Sequence, residues 1–203
     1  MKTLNEILNT KDISTLNPTE RFKYEFYTKK LNESNLTENI EQACSSKNTS
    51  RNKNELPISS KYIDFTKYEN GVGLDYGAGK YDNFIEFLDE KYNIKLWAYD
   101  KFNRSESENN TSLSQPKFDF VMCNNVLNVI AEDEIIREIV KFITSKKCDA
   151  YYLMYEGDKS ETGKVTKKDC YQRNEKVESY LKFIPTESYS KVYIKKNMIV
   201  CEI

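Results

Sequence analysis

The chain has 203 residues, 31 of them basic and 32 acidic, and it contains no histidine. That length suffices to bury the core of a single domain, and the net charge of -1 excludes a global attraction to nucleic acid. The lack of histidine excludes a Ser-His-Asp triad, a histidine general base and histidine-ligated metals, so no metal site is expected.

The lengths of the apolar runs and the spacing of the cysteines indicate where in the cell the protein is expected. No apolar run approaches the roughly 18–20 residues that a membrane span needs, and MKTLNEILNTKD at the N-terminus lacks the apolar block of a secretory signal. The 5 cysteines are widely spaced and form no Cys-x-x-Cys pair, which favours buried free thiols over a disulfide framework or a zinc ribbon. We expect a cytoplasmic protein that does not associate with a membrane.

Two regions differ in composition, residues 1–60 and 61–203. The first region contains no glycine and is rich in Asn, Ser, Thr, Lys and Glu. Its apolar spacing predicts helices over 17–31 and 36–44, and the polar residues 45–60 predict a loop. We interpret the first region as a helical appendage, or a lid over a site in the second.

The second region alternates strands with helices. Short apolar runs predict the strands, and apolar residues at helical spacing predict the helices between them. This alternation, followed by a hairpin, predicts an α/β domain with a mostly parallel sheet and an antiparallel strand at its end. In chain order the predicted elements are a strand over 71–77, a helix over 80–92, a strand over 94–100, a polar loop over 101–117, a strand within 118–130, a helix over 132–147, a strand over 150–158, a helix over 166–184 and a hairpin over 190–203.

The segment LDYGAGK lies where the first of these strands meets its helix. Gly77 and Gly79 allow a tight turn and a close approach by a ligand, and the start of the helix favours a carboxylate or a phosphate. Asp75 would repel a pyrophosphate but attract an ammonium group. An amino-acid moiety, which carries an ammonium and a carboxylate, suits this combination. The alternative is that the glycines only form a turn.

Asp100 ends the next strand, in the segment LWAYD. An acid at that position can accept hydrogen bonds from both hydroxyls of a ribose, although a strand-terminal Asp can also serve only as a helix cap. An amino acid joined to a nucleoside describes S-adenosylmethionine. The dinucleotide fingerprint Gly-x-Gly-x-x-Gly is the competing interpretation of the turn, but Asp82 stands where its third glycine would be. The sequence contains no P-loop motif.

Three segments, GLDYGAGKYDNFIEFL, LWAYDKFN and FDFVMCNNVLNVI, resemble motif I, the acid after the second strand and the motif after the fourth strand of class I S-adenosylmethionine-dependent methyltransferases. They are more specifically similar to methyltransferases of phages and mobile elements, including those associated with DNA phosphorothioation systems. The resemblance covers residues 71–145 and extends more weakly through 155–174. It implies a Rossmann-like methyltransferase sheet. Residues 101–117 are too few for a usual helix, third strand and connecting loops, so we expect a reduced third-strand region.

The resemblance implies a role for each matching residue. Asp75, Gly77 and Gly79 would line the methionine moiety, and Asp100 would hold the ribose. Cys123, Asn124 and Asn125 would border the sulfonium and the substrate entrance. The customary acidic residue that binds adenine is not identifiable. The implied cofactor-binding residues are Asp75, Gly77, Gly79, Asp100, Lys101, Cys123 and Asn125.

The segment after the third predicted strand reads CNNV, which lacks the Pro-Pro pair of DNA amino-methylases and the Pro-Cys nucleophile of cytosine C5 chemistry. Asn124 could orient an acceptor through its amide, or it could only cap the next helix. Glu156 could accept a proton at the end of the following strand. Because a sulfonium donor is already activated, alignment does much of the work and a histidine base is not needed.

A cluster of basic residues follows that strand, within 164–176. Lys167, Tyr171 and Arg173 are the candidate substrate-binding residues, because basic side chains meet phosphates and tyrosine stacks on a base. The alternative is a solvated helix face. We therefore expect an S-adenosylmethionine-dependent methyltransferase with a nucleic acid or nucleotide-like acceptor. The alternatives are a non-catalytic module of the same fold, which binds the cofactor or a partner protein, and a nicotinamide oxidoreductase.

Overall fold

A mixed six-stranded sheet with the strand order β2-β1-β3-β4-β8-β7 dominates the fold, beside a separate two-stranded hairpin of β5 and β6. The computed structural model describes residues 2–10, 12–33, 41–49 and 52–203. The strands are β1 Val72–Tyr76, β2 Lys95–Tyr99, β3 Phe120–Asn124, β4 Asp149–Leu153, β5 Lys164–Lys167, β6 Cys170–Gln172, β7 Lys191–Lys195 and β8 Met198–Glu202. The helices are α1 Leu4–Leu8, α2 Pro18–Glu33, α3 Asn83–Tyr92, α4 Glu106–Leu113 and α5 Asp133–Thr144.

The sheet separates two apolar cores. Successive residues of β3 alternate between them: Val121 and Cys123 face the core under α5, whereas Phe120 and Met122 face the core under α3. Strands covered on both faces consist of continuous apolar runs. The first four strands of the order pair in parallel, and β8 and β7 pair antiparallel. The prediction of a mostly parallel α/β sheet with a C-terminal hairpin is confirmed.

Between β2 and β3, where every residue is described, the chain contains a helix but no strand. The Glu108 N–H at the start of α4 donates to the Ser105 hydroxyl at 3.3 Å, and the Ser105 N–H donates to the Glu108 carboxylate at 2.8 Å. The prediction of a loop over 101–117 is therefore wrong, and this Ser-x-x-Glu capping box was the available signal. The expected reduction of the third-strand region is confirmed, since β2 lies at the edge of the sheet.

The region around 164–176 also differs from the helix predicted over 166–184. β5 and β6 form an antiparallel hairpin, in which Asp169 takes a left-handed conformation with a φ of 60° at the turn. Residues Val177–Phe183 form a 3-10 helix. The missed signal was the β-branched pair in KVTK followed by a Lys-Asp turn.

The N-terminal region packs on the main domain. Helix α2 confirms the first predicted helix, and its Thr19 hydroxyl accepts a hydrogen bond from the Tyr171 hydroxyl of β6 at 3.1 Å. The helix predicted over 36–44 lies largely outside the described residues, and residues 41–44 are not helical. The division of the chain into an appendage and a main domain stays a prediction.

Glu132 is a fully buried carboxylate where this N-terminal region meets α5. Its Oε1 accepts a hydrogen bond from the Ala43 N–H at 3.2 Å, and burial raises its pKa above the usual value. An acid with a raised pKa in the folded state destabilises that state once the pH exceeds its unfolded pKa of about 4.3. We expect Glu132→Gln to raise the melting temperature at pH 7 but not near pH 3.5, as measured by circular dichroism. A lower melting temperature than wild type at pH 7 would contradict this.

The cysteines are buried free thiols, as the sequence predicts. Within the described ranges, no helix combines the length and the apolar character needed to cross a membrane. The cytoplasmic location stays a prediction.

Candidate functional site

A cavity of about 860 Å³ opens at the carboxyl ends of β1, β2 and β3. Because β2 and β3 lie on opposite sides of β1, the direction in which the chain adds strands reverses beside β1. In open α/β sheets, ligands bind at such a reversal, and the volume is typical of a small-molecule site. The sequence-predicted residues on the cavity wall are Asp75, Gly77, Gly79, Asp100, Lys101, Asn124 and Asn125.

Hydrogen bonds to the end of β2 hold the turn after β1. The N–H groups of Gly77 and Ala78 both donate to the Tyr99 carbonyl, at 2.7 and 3.0 Å, and the Gly79 N–H donates to Asp100 Oδ2 at 2.8 Å. The φ angles of 89° at Gly77 and 72° at Gly79 explain why both positions are glycine. These three N–H groups therefore bind the protein itself and not an anionic ligand.

Gly77 also leaves room for a side chain of the protein, whereas the sequence predicted that a ligand would approach there. A Cβ at this position would lie 2.1 Å from Val126 Cγ2. We expect Gly77→Ala to lower the free energy of unfolding by about 2 kcal/mol, through left-handed backbone strain and this clash together. Denaturant titration measures the loss. In a double-mutant cycle, Val126→Ala should recover part of it; a loss that is the same with and without Val126→Ala would contradict the clash.

Asp100 organises the loops at the edge of the cavity. Its Oδ1 accepts hydrogen bonds from the N–H groups of Phe102 and Asn103, at 3.0 and 2.9 Å, and from the Asn103 amide at 3.1 Å. Its Oδ2 accepts the hydrogen bond from Gly79. Because Oδ2 accepts one of these hydrogen bonds and Oδ1 accepts three, Oδ2 is the oxygen with capacity for a ligand hydroxyl. The predicted grip on both hydroxyls of a ribose is thereby reduced to one.

Asp75 and Asn124 form a polar pair at the ends of β1 and β3. Asn124 Nδ2 lies 3.4 Å from Asp75 Oδ1, and Asp75 is only 3% exposed. Among the described residues, the buried Oδ1 of Asn124 has no hydrogen-bond partner. A buried acceptor without a partner is costly, so a donor on a ligand would stabilise this arrangement.

The other predicted cofactor contacts differ in accessibility. Cys123 belongs to the core under α5 and does not line the cavity, and burial raises the pKa of its thiol. The structure therefore does not bring Cys123 to a ligand, which corrects that prediction. Lys101 and Asn125 are exposed on the cavity wall and remain candidates.

Glu156, the predicted proton acceptor, lies beside the start of the 3-10 helix at Val177 and is not on the cavity wall. Its Oε1 accepts a hydrogen bond from the Val177 N–H at 2.9 Å, and its Oε2 pairs with Lys159 at 2.8 Å. The Lys159 ammonium and the Val177 N–H hold the pKa of Glu156 below its usual value. The catalytic role predicted for Glu156 is therefore not supported by its position or by its basicity.

The predicted substrate-binding residues also lie away from the cavity wall. Lys167 is exposed on β5, but Tyr171 is 2% exposed and Arg173 is 1% exposed. Arg173 pairs with Asp133 and Glu175 at 2.8 and 2.9 Å. The expectation that Tyr171 and Arg173 contact an acceptor is wrong, because the tertiary fold encloses both side chains.

Many residues of the cavity wall were not predicted from the sequence. One side belongs to the N-terminal region, at residues 42–49 and 55–58. The other unpredicted wall residues come from α4, α5 and the last residues of β1 and β2. Apolar spacing identified α5 as amphipathic, but it did not indicate which of its residues would border a cavity. The unpredicted wall residues from these elements are Tyr76, Tyr99, Leu113, Glu134, Ile135, Glu138, Ile139 and Phe142.

Comparisons with known proteins add no assignment. No family model matches the chain, and no curated protein or solved structure matches it. In the part of the chain that the structure describes, no three Cys, Asp or Glu side chains are grouped to hold a metal ion. Function is therefore inferred from the cavity and from the residues on its wall.

Proposed function

We propose that this chain is an S-adenosylmethionine-dependent methyltransferase. The observation that carries the proposal is the meeting of Asp75 and Asp100 at one cavity, beside the reversal of strand order. The Asp75 carboxylate attracts an ammonium group, and Asp100 Oδ2 can accept a hydrogen bond from a ribose hydroxyl. A ligand that carries both groups is an amino acid joined to a nucleoside.

The strand order of the sheet supports assignment to the class I methyltransferase fold, which is more specific than a Rossmann-like α/β fold. The resemblance over 71–145 implies a Rossmann-like, mostly parallel sheet. Residues 190–203 predict its antiparallel hairpin, and the short segment 101–117 predicts a reduced third-strand region, which departs from the usual family pattern. The order β2-β1-β3-β4-β8-β7 has each of these features. It is compatible with other Rossmann-like sheets as well, so the assignment stays a proposal.

Asn124 is the proposed catalytic residue. Transfer from a sulfonium is an in-line displacement, in which the acceptor atom supplies an electron pair, a new bond to the methyl carbon forms and the thioether leaves. The protein mainly aligns the two reactants and excludes water. The Asn124 Oδ1 would orient an acceptor by accepting a hydrogen bond from it, since this oxygen has no partner among the described residues.

The proposed acceptor is a nucleic acid or a nucleotide-like molecule. Three exposed lysines on the cavity wall, Lys47, Lys80 and Lys101, could meet phosphate groups. Phe102 on the same wall is 37% exposed, and an exposed aromatic ring can stack on a base. These four residues take the place of Lys167, Tyr171 and Arg173, which do not line the cavity.

Calorimetry tests the cofactor. We expect saturable heat on titration with S-adenosylmethionine and with S-adenosylhomocysteine, and no heat with NAD. The absence of heat with both sulfur nucleosides would overturn the proposal. The acceptor is tested by incubating the protein with methyl-labelled S-adenosylmethionine and separate pools of DNA, RNA, protein and metabolites, with the label expected in a nucleic acid or nucleotide pool.

A non-catalytic module that binds the same ligand is the second candidate. The turn after β1 favours it, because the protein itself satisfies the N–H groups of Gly77, Ala78 and Gly79 and fills the space beside Gly77 with Val126. These features serve the fold whether or not a reaction takes place. Cofactor affinity without label transfer to any of the four pools would identify this alternative.

A further inference from the structure

An apolar recess forms the part of the cavity between α4 and α5. The ring centres of Tyr76 and Tyr99 lie 4.5 Å apart, and those of Tyr76 and Phe142 lie 5.6 Å apart. All three rings are half-buried and line the cavity, as does Leu113. The recess adjoins Asp100, which follows Tyr99 directly in the chain. A flat apolar ring next to a ribose at Asp100 would bury its area here.

Glu138 lies at the border of this recess. It precedes Phe142 by four residues on α5, and side chains at that spacing are neighbours with Cβ atoms about 5–6 Å apart. Glu138 is exposed and lines the cavity. Within the ranges that the structure describes, its carboxylate has no hydrogen bond or ion pair. An ionised carboxylate only accepts hydrogen bonds, so this group is available to a donor on a bound ring.

We propose, resting on the proposed function, that the recess holds the purine of the bound nucleoside and that Glu138 accepts a hydrogen bond from its exocyclic amine. Adenine presents an amine at this edge, whereas hypoxanthine presents a carbonyl oxygen that a carboxylate repels. A site built to bond one polar group rejects the analogue that lacks it. Glu138 thereby selects adenine, in a protein whose sheet has no strand beyond β2 to carry such a residue.

Glu134 provides a matched control on the same helix. It is also a carboxylate on the cavity wall, but it lies eight residues before Phe142, a rise of about 12 Å along the helix. Its charge acts on the buried Lys23 of α2. We therefore do not expect Glu134 to accept a hydrogen bond from the purine.

The test is a pair of calorimetric titrations, with S-adenosylhomocysteine and with S-inosylhomocysteine, on wild type, Glu138→Gln and Glu134→Gln. We expect wild type to bind the adenine compound at least about tenfold more tightly, the effect of one polar mismatch in a site of this kind. Glu138→Gln should lose most of this preference, because an amide can donate to the hypoxanthine oxygen. Glu134→Gln should keep it.

The possible outcomes distinguish failure of the Glu138 assignment from failure of the proposed function. If wild type binds both compounds equally, or if Glu138→Gln keeps the wild-type ratio, the assignment of Glu138 is overturned while the proposed function stands. If wild type binds neither compound, the proposed function fails, and the inference fails with it. Because the wild-type ratio is informative by itself, the test does not depend on a variant that folds.

Discussion

Arg173→Ala is expected to lower the free energy of unfolding by about 3–5 kcal/mol, the cost of leaving a buried carboxylate without its partner. The Arg173 side chain is 1% exposed and lies 2.8 Å from Asp133 and 2.9 Å from Glu175. It also donates to the Ile130 carbonyl at 3.1 Å. It therefore ties the chain after β6 to the start of α5, and urea denaturation followed by circular dichroism measures its contribution.

The loss from Arg173→Ala should shrink on acidification. Burial raises the pKa of Asp133, but the Arg173 guanidinium outweighs burial and holds that pKa below the usual value. A lowered carboxyl pKa contributes stability above its unfolded value of about 3.9, and the contribution is lost as the pH falls through the folded pKa. In the variant, an unpaired Asp133 is protonated more readily. The difference from wild type is expected to be larger at pH 7 than at pH 3.

Lys164→Ala is the matched control for Arg173→Ala. Lys164 pairs with Asp158 at 2.8 Å, but the two side chains are 56% and 48% exposed. An exposed ion pair contributes about 0–1 kcal/mol, so little stability should be lost. Equal losses in the two variants would contradict the assignment of a buried structural pair. Neither residue lines the cavity, and both folded variants should bind S-adenosylhomocysteine like wild type.

Asp100→Ala is expected to weaken S-adenosylhomocysteine binding by about tenfold or more and to cost about 3 kcal/mol of stability. Four donors from Gly79, Phe102 and Asn103 lose their acceptor in this variant. Because those residues belong to the turns after β1 and β2, both turns lose their shape at the cavity. Calorimetry measures the affinity and denaturant titration the stability, each on protein shown to be folded.

Asp82→Ala is the matched control for Asp100→Ala. Asp82 pairs with Arg104 at 2.7 Å in the same part of the fold, but its side chain is 58% exposed. We expect a loss of less than about 1 kcal/mol and an unchanged affinity. An Asp100→Ala variant as stable as Asp82→Ala would refute the organising role of Asp100. Normal affinity in a destabilised Asp100→Ala would refute its contact with the ligand and keep its structural role.

The parallel sheet and the turn after β1 could be predicted from local sequence. Strands buried on both faces require continuous apolar runs, and β3 with its neighbours shows them. A turn with two positive φ angles requires glycine, and Gly77 and Gly79 occupy those positions. The reversal of strand order then places Asp75 and Asp100 at one cavity, as expected for acids at the ends of neighbouring parallel strands.

Helix α4 and the β5–β6 hairpin were harder to predict. Leu113 is the only aliphatic or aromatic residue of α4, so apolar periodicity is nearly absent there and only the capping box at Ser105 indicates a helix. In 164–176, a charged segment lacks the apolar pattern that separates a helix from a strand. Turn chemistry and β-branched residues decide such segments.

By itself, the sequence determined the strands of the main sheet, helices α3 and α5 and the chemistry of the turn after β1, because apolar period and glycine conformation act over a few neighbouring residues. Only the tertiary structure decided which polar side chains reach the cavity. Arg173 is enclosed because Asp133, which is distant in the chain, meets it at the start of α5. Glu138 borders the cavity because α5 packs beside the rings at the ends of β1 and β2. The burial of a charge depends on such distant partners, and no local pattern encodes it.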